Sequence, residues 1–188
     1  MKALKEIGFD KALKYAAGEV ACLLLRMTVF PPLRVALLRL LGAEIGQDTI
    51  VHNVRFINVY RGSFANLHIG KDCFIGEDCL LDLAGVIRIG DQCTLAQRVN
   101  VMTHMNVGYA DHPLQAYYPS RVAAVEIADG SFVGVASTVL CGIRIGRQCL
   151  VAAGSVVTDS IADGTLAAGV PARVVREAHR PEAPVAET

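Results

Sequence analysis

The chain has 188 residues, 53% of them apolar, and 18 basic residues balance 18 acidic ones. This length is sufficient for one domain with a sizeable core. The zero net charge and the absence of Trp argue against a nucleic-acid-binding protein, because such a protein needs a basic face with stacking aromatics.

Residues 1–44 are predicted to be helical. Their most apolar run, residues 20–30, is interrupted by Arg26 and is too short for a membrane span of about 20 residues. Pro31 and Pro32 should end this helix and start a second one over residues 33–41. Two interpretations stay open: a cap over the end of the main domain, or a basic amphipathic segment that lies on a membrane surface.

From Ile45 to about residue 162, an aliphatic residue recurs every six positions. The count slips by two residues before Ile89 and is interrupted at length after Val101. A fixed short period is typical of a solenoid, in which each repeat buries its face by stacking on its neighbours. The predicted inward anchors are Ile45, Val51, Ile57, Ser63, Ile69, Ile75, Leu81, Ile89, Leu95, Val101, Ile127, Val133, Val139, Ile145, Val151 and Val157.

Each hexad suits a short strand and a turn, and three such faces would close one coil of a triangular prism. A Gly often follows the anchor, and we expect it to relieve the turn. The fourth residue after the anchor is mostly small, so it should point into the prism. These residues are Thr49, Cys73, Cys79, Cys93, Val99, Ser131, Ser137, Ile143, Cys149 and Ser155.

Four of the six cysteines lie at this small interior position. We interpret them as core packing, because free Cys behaves as a small hydrophobic residue. The sequence has no CxxC pair, so a structural zinc site is not expected. This number of unpaired thiols favours a reducing compartment, and hence the cytoplasm.

The long interruption, residues 102–126, is a loop in the middle of the repeats, where solenoids often carry functional residues. It contains His104, His112, Asn106 and Tyr109. Imidazole is largely neutral near pH 7 and suits general-base catalysis. Asp82 lies beside the two-residue slip, and its carboxylate could accept hydrogen bonds from hydroxyl groups.

The repeats resemble a known family. The runs IGKDCFIGEDC and IGDQCTLAQRV, and the stretch 127–177, are similar to hexapeptide-repeat acyltransferases, most closely to sugar O-acetyltransferases of the galactoside and maltose type. The resemblance covers about residues 40–176. It implies an all-β solenoid, a left-handed parallel β-helix over residues 45–176, with an N-terminal helical segment and a protruding loop. The tail, residues 177–188, lacks apolar periodicity and is expected to be disordered.

The resemblance also implies an activity. The expected enzyme is a homotrimer that transfers an acetyl group from acetyl-CoA to a hydroxyl of a small or lipid-linked sugar acceptor, directly in a ternary complex. The family's catalytic His stands where the repeat breaks into the loop, which gives His104. His112 is the alternative, because it precedes Pro as the family's base does.

The expected binding residues come from the loop and from the same resemblance. Acceptor contacts are assigned to Asp82, Asn106 and Tyr109. The residues Ala153, Thr158, Arg173 and Arg176 match CoA contacts of the family, and the two arginines would meet the nucleotide's phosphates. Asp159 stands where the family has a Lys.

Other functions stay open. The same fold could serve a serine or antibiotic O-acetyltransferase, or a non-catalytic subunit of an assembly. A zinc enzyme of this fold would need three histidines, including a close pair, and we expect no metal because the chain's histidines are His52, His68, His104, His112 and His179. The expected location is the cytoplasm, with a peripheral membrane contact through the N-terminal segment as the alternative.

Overall fold

The computed structural model describes residues 9–177, which begin with two helices, α1 (Phe9–Met27) and α2 (Pro31–Leu40). Pro31 begins α2, as the sequence predicts, because Pro fits the first turn of a helix. No helix of this region has the length and apolar character needed to cross a bilayer. His179 and most of the predicted tail lie outside the described residues.

The rest of the described chain is built from short strands and tight turns. A single helical turn, α3 (Val59–Gly62), and two 3₁₀ turns (Phe64–Asn66 and Pro113–Ala116) interrupt them. The strands are β1 (Glu44–Ile45), β2 (Ile50–Val51), β3 (Arg55–Ile57), β4 (Leu67–Ile69), β5 (Phe74–Ile75), β6 (Leu80–Asp82), β7 (Ile87–Ile89), β8 (Thr94–Leu95), β9 (Asn100–Val101), β10 (His104–Met105), β11 (Arg121–Val122), β12 (Val125–Ile127), β13 (Phe132–Val133), β14 (Thr138–Val139), β15 (Arg144–Ile145), β16 (Leu150–Val151), β17 (Val156–Val157), β18 (Thr165–Ala168) and β19 (Arg173–Glu177).

Three sheets form the faces of the predicted prism. Their strand orders are β1-β4-β7-β12-β15, β2-β5-β8-β13-β16-β18-β19 and β3-β6-β9-β14-β17. All neighbours in these sheets are parallel except β18 and β19. Successive strands therefore step around the prism, and each coil pairs with the coils above and below.

The interior follows the predicted hexads. Anchors such as Ile75, Leu95 and Val151 are fully buried, and the residues at the small fourth position are buried as well. Seven of the ten residues at this position also donate hydrogen bonds to the next coil: Thr49 Oγ1 to Gly70 O (2.7 Å), Cys73 Sγ to Gly90 O (3.0 Å), Cys79 Sγ to Ala96 O (3.1 Å), Cys93 Sγ to Ala128 O (3.2 Å), Ser131 Oγ to Gly146 O (2.7 Å), Ser137 Oγ to Ala152 O (2.9 Å) and Cys149 Sγ to Ala162 O (3.0 Å).

The glycine after the anchor has a different role from the one predicted. A Cβ on Gly46 would lie 2.5 Å from the backbone of Gly70, and one on Gly134 would lie 2.5 Å from Ala153 N. The glycine therefore permits close stacking of coils. The left-handed turn conformation belongs to the third residue after the anchor, for example Asp48 and Gln92.

The register of the first coil corrects two predicted anchors. Phe56 lies opposite Leu81 and is buried, whereas Ile57 lies opposite Asp82. The step from the anchor Val51 to the next anchor, Phe56, is five residues rather than six. Ser63 is no anchor either, since it lies between α3 and a 3₁₀ turn.

The N-terminal helices pack on the first coil. Leu25, Val35 and Leu38 join the same apolar core as Ile45. Arg34 is buried beside them, and its guanidinium donates to the carbonyls of Thr28, Leu25 (3.3 Å) and Val51 (3.0 Å). This arginine ties the corner between α1 and α2 to strand β2.

Candidate active site

The loop predicted over residues 102–126 leaves the prism after β9 and returns at β12. Its base is closed by an antiparallel pair in which His104 lies opposite Val122. Of the His104 side chain, 19% is exposed, so the imidazole is held in place but reaches the surface.

His104 meets Asp82 from the coil below. The distance from His104 Nδ1 to Asp82 Oδ2 is 2.5 Å, and the Asp82 side chain has no exposed surface. A carboxylate only accepts hydrogen bonds, so Nδ1 carries the proton in this contact. In neutral imidazole, Nε2 then has a free lone pair.

Both Asp82 oxygens have further donors. Oδ1 accepts from Asn58 Nδ2 (2.7 Å) and Ala84 N (3.2 Å), and Oδ2 accepts from the backbone N–H groups of Thr103 (2.9 Å) and His104 (3.0 Å). Burial raises the pKa of Asp82, but the hydrogen bonds from His104, Asn58, Thr103 and Ala84 outweigh it, so the net shift is downward. The carboxylate is therefore ionised at neutral pH.

The burial of Asp82 does not fit the acceptor-binding role predicted for it. Its oxygens are engaged inside the protein and it has no exposed surface. The geometry suits the other role that such a catalytic arrangement needs, which is to orient the imidazole.

Two residues that the sequence reasoning missed complete this arrangement. Thr103 is fully buried; its Oγ1 lies 2.7 Å from Asp82 O and 3.0 Å from Asp82 Oδ2, and accepts from Gly85 N (2.8 Å). Asn58 adopts a left-handed backbone conformation (φ 58°). Thr103 could have been suspected as the neighbour of His104, but Asn58 lies in the irregular first coil and gave no signal.

His112 is placed differently from His104. It is exposed, and its Nδ1 accepts from the backbone N–H of Leu114 (3.2 Å) at the start of a 3₁₀ turn. Accepting at Nδ1 leaves the proton of a neutral ring on Nε2. The two histidines of the loop thus present opposite tautomers to solvent.

The other predicted loop residues lie at its exposed tip. Asn106 Oδ1 accepts from Gly108 N (3.1 Å) and from Gln115 Nε2 (3.2 Å). The Tyr109 side chain is exposed. Neither residue makes a hydrogen bond to Asp82 or His104 among the contacts described for residues 9–177.

The predicted CoA residues lie at the C-terminal end. Asp159 Oδ2 accepts from Thr158 Oγ1 (3.0 Å) and from Arg173 Nη1 (2.9 Å). Ala153 is in the turn that stacks on Gly134. The Asp that replaces the family's Lys is therefore the partner of a predicted phosphate ligand.

A β-bulge brings the two predicted arginines to one face. Arg173 lies opposite Ala168 and Arg176 opposite Leu166, with a register shift between. Residues three apart on a regular strand face opposite sides, but directly opposed residues share a side. Because Leu166 and Ala168 alternate with buried Thr165 and Ala167, both arginines lie on the outer face.

Residues 9–177 contain no group of three His, Cys, Asp or Glu side chains placed to hold a metal ion.

The sequence and fold match known proteins. The family model described as "Hexapeptide repeat of succinyl-transferase" matches residues 67–96 and 125–159. These two segments therefore carry hexapeptide repeats, and the predicted left-handed parallel β-helix is confirmed.

Within this class, the resemblance to sugar O-acetyltransferases is confirmed as well. The galactoside O-acetyltransferase of Escherichia coli is 27% identical over 144 residues, 77% of this chain and 68% of the relative. The solved maltose O-acetyltransferase of Clostridium difficile has a TM-score of 0.74 and 27% identity, covering 90% of this chain and 89% of that one. The chain therefore resembles the hexapeptide-repeat O-acetyltransferases, as the sequence predicts.

A third comparison shows the fold alone. A hexapeptide-repeat acetyltransferase of Vibrio cholerae, solved in complex with acetyl-CoA, has a TM-score of 0.67 and 24% identity, with 90% of this chain and 88% of that one covered. Among the curated relatives, the chain spans about two-thirds of the galactoside enzymes but only 25–53% of the other acetyltransferases that it matches.

Proposed function

We propose that this protein is an acetyl-CoA-dependent O-acetyltransferase with a sugar or a sugar-containing molecule as acceptor. The observation that carries this proposal is the contact between buried Asp82 and the partly exposed His104. The similarity to galactoside and maltose O-acetyltransferases supports the acceptor class.

His104 acts as the general base. Its Nε2 takes the proton of the acceptor hydroxyl while that oxygen bonds to the acetyl carbonyl carbon of acetyl-CoA. The C–S bond then breaks, and the proton passes from Nε2 to the CoA sulfur. Acetyl moves directly from donor to acceptor, so both are bound together.

Asp82 keeps the proton of the neutral ring on Nδ1 and stabilises the imidazolium that forms. Asn58 and Thr103 hold Asp82 in turn, since they donate to its two oxygens. His112 does not suit this role, because its Nδ1 is already an acceptor. In the loop, Tyr109 and Asn106 remain our candidates for contact with the acceptor.

The CoA site is assigned to the C-terminal coils. The backbone beside Ala153 would meet the pantetheine arm, near Thr158, and the shared outer face of Arg173 and Arg176 would meet the phosphates. Arg173 already pairs with Asp159, so CoA phosphate competes with that carboxylate.

The working form in this proposal is a homotrimer in the cytoplasm. The six free thiols agree with a reducing compartment.

The test compares His104→Ala with His112→Ala. Removing the base should lower turnover at least about a hundredfold, while calorimetric binding of acetyl-CoA stays near that of the unaltered protein. His112→Ala should retain most activity. Turnover is followed by thiol release over free, nucleotide-linked and lipid-linked sugars, with serine as the comparison acceptor.

Two results would contradict the proposal. If His112→Ala abolishes turnover and His104→Ala does not, the base is misassigned. If the unaltered protein binds no acetyl-CoA, the protein is a structural subunit of this fold.

A further inference from the structure

The side of α1 that faces away from the β-helix is apolar. Leu13, Val20, Leu24 and Met27 follow one another at steps of seven, four and three residues, which places them on one side of a helix. Leu25, on the opposite side, is buried in the core. The apolar surface continues through the corner into α2. This outer apolar face consists of Leu13, Val20, Leu23, Leu24, Met27, Val29, Phe30 and Leu33, all more than half exposed.

So large a group of exposed apolar side chains needs an occupant. Soluble proteins seldom expose contiguous apolar patches beyond a few hundred Å² unless the patch binds something. The inner side of the helices already packs on the first coil through Leu38 and Arg34. Capping the β-helix therefore explains the inner side and leaves the outer one without a role.

Charge is unevenly distributed along the neutral chain. Residues 9–41 carry five basic and two acidic side chains, a net charge of +3. Residues 42–177 carry ten basic and thirteen acidic ones, a net charge of −3. The helices that display the outer apolar face are thus the positive part of the described protein.

We propose that the outer apolar face docks the protein on the surface of an anionic lipid bilayer. An apolar face with flanking cations suits the boundary between headgroups and acyl chains. A second copy of this chain is disfavoured as the occupant, because face-to-face contact would join two positive segments, each of net charge +2 when buried Arg34 is left out. No helix of residues 9–177 could span the bilayer, so the contact is peripheral. This inference does not depend on the proposed enzymatic activity.

The test is co-sedimentation of the full chain with phosphatidylcholine vesicles, with and without phosphatidylglycerol. We expect binding that requires the anionic lipid and weakens with salt. Leu24→Glu combined with Phe30→Glu should abolish it. Lys14→Glu combined with Arg26→Glu should weaken it by at least about tenfold, since these two exposed cations flank the outer apolar face on α1 and each cation near a charged bilayer contributes measurably.

The matched control places the same substitutions elsewhere. Phe132→Glu combined with Leu150→Glu changes two exposed apolar residues on the wall of the β-helix and should bind vesicles like the unaltered chain. Circular dichroism confirms that each variant is folded. Equal vesicle binding by all folded variants would overturn the proposal. A lipid-independent oligomer that Leu24→Glu with Phe30→Glu dissociates, with no vesicle binding, would overturn it in favour of a second copy.

Discussion

At the scale of single residues, the site depends on one buried carboxylate. Asp82 has four kinds of donor around it: an imidazole, an amide, a hydroxyl and backbone N–H groups. Hydrogen bonds to the charged form of an acid favour that form, and here they outweigh the cost of burial. The site is therefore assembled around a fixed negative charge.

The Asp82→Asn variant should show how much the charge of Asp82 contributes to the free energy of unfolding. The amide nitrogen of an Asn side chain cannot accept the hydrogen bonds that Asp82 Oδ2 accepts, so buried donors lose a partner, at a cost of about 2–4 kcal/mol near pH 7. The folded-state pKa of Asp82 lies below its unfolded value. The contribution of ionised Asp82 to the free energy of unfolding is thus fully present above about pH 5 and is lost as pH falls through the folded-state pKa.

The measurement is denaturant unfolding of both proteins between about pH 7 and pH 3, on either side of the ordinary pKa of Asp. The difference in unfolding free energy between the unaltered chain and the Asp82→Asn variant should be largest near neutrality and shrink towards acid pH. Asp78→Asn is the control, because Asp78 is an exposed turn residue with the left-handed conformation that Asn tolerates. A difference that does not change with pH would contradict the assigned ionisation of Asp82.

At the scale of the coil, the small interior residue joins neighbouring repeats. Its S–H or O–H donates to a carbonyl of the next coil, as Cys73 does to Gly90 and Ser131 does to Gly146. It also accepts a backbone N–H from that coil, as Thr49 does from Cys73 and Ser131 from Cys149. The cysteines are more than small fillers of space. Burial raises the pKa of Cys79 to about 11, so it remains a donor-bearing thiol.

Replacing Cys73, Cys79, Cys93 and Cys149 tests this role. The fourfold Ser variant keeps a donor at each position, whereas the fourfold Ala variant leaves carbonyls unpaired and opens small cavities. We expect the Ala variant to be less stable than the Ser variant, by about 1 kcal/mol per site. Thermal unfolding measures which of the two variants is less stable. Cys141→Ser is the control, because Cys141 is not one of these small interior residues. An Ala variant as stable as the Ser variant would show that volume alone matters.

How well the sequence predicts each coil of the β-helix depends on how regular the six-residue repeat is in that coil. From Ile69 onward, the six-residue spacing and the small residue two positions before each anchor, such as Cys73 before Ile75 or Cys149 before Val151, are enough to place the strands. They do so even where an apolar residue such as Phe74 or Leu150 directly precedes the anchor. In the first coil, Phe56 and Ile57 are both apolar, and the period cannot choose between them. Stacking on Leu81 decides in favour of Phe56.

The site was predictable to a similar extent. His104 stands where the repeat breaks, so its position carries a signal. Asp82 and Asn58 come together only because their coils stack in the true register, in which Ile57 lies opposite Asp82. A period of apolar residues cannot predict a fully buried polar residue. The orienting role that we assign to Asp82 therefore follows only from the structure.

At the scale of the whole molecule, the N-terminal cap is connected to the site. Arg34 fixes the α1–α2 corner to Val51 in the first coil, and that coil supplies Asn58 to Asp82. Helix α1 also approaches α3, where a Cβ on Gly18 would meet Val59 at 3.4 Å. In a solenoid each repeat contacts only its neighbours, so disturbance of the cap should spread through the first coil before reaching later ones.

Arg34→Met should therefore loosen the cap and the first coil and leave the C-terminal coils intact. The substitution leaves buried carbonyls of Leu25, Thr28 and Val51 without their donor, a cost of about 1–3 kcal/mol for each group left unpaired. Amide exchange should accelerate over residues 44–57 and stay unchanged over residues 125–157. Turnover should fall because Asn58 no longer holds Asp82.

Arg39→Met is the matched control. Arg39 also donates to first-coil carbonyls, those of Ile45 and Gly46, but from an exposed position where water can replace it. Uniform acceleration of exchange along all coils would instead mean that the β-helix unfolds as one cooperative unit, and that the cap has no separate connection to the site.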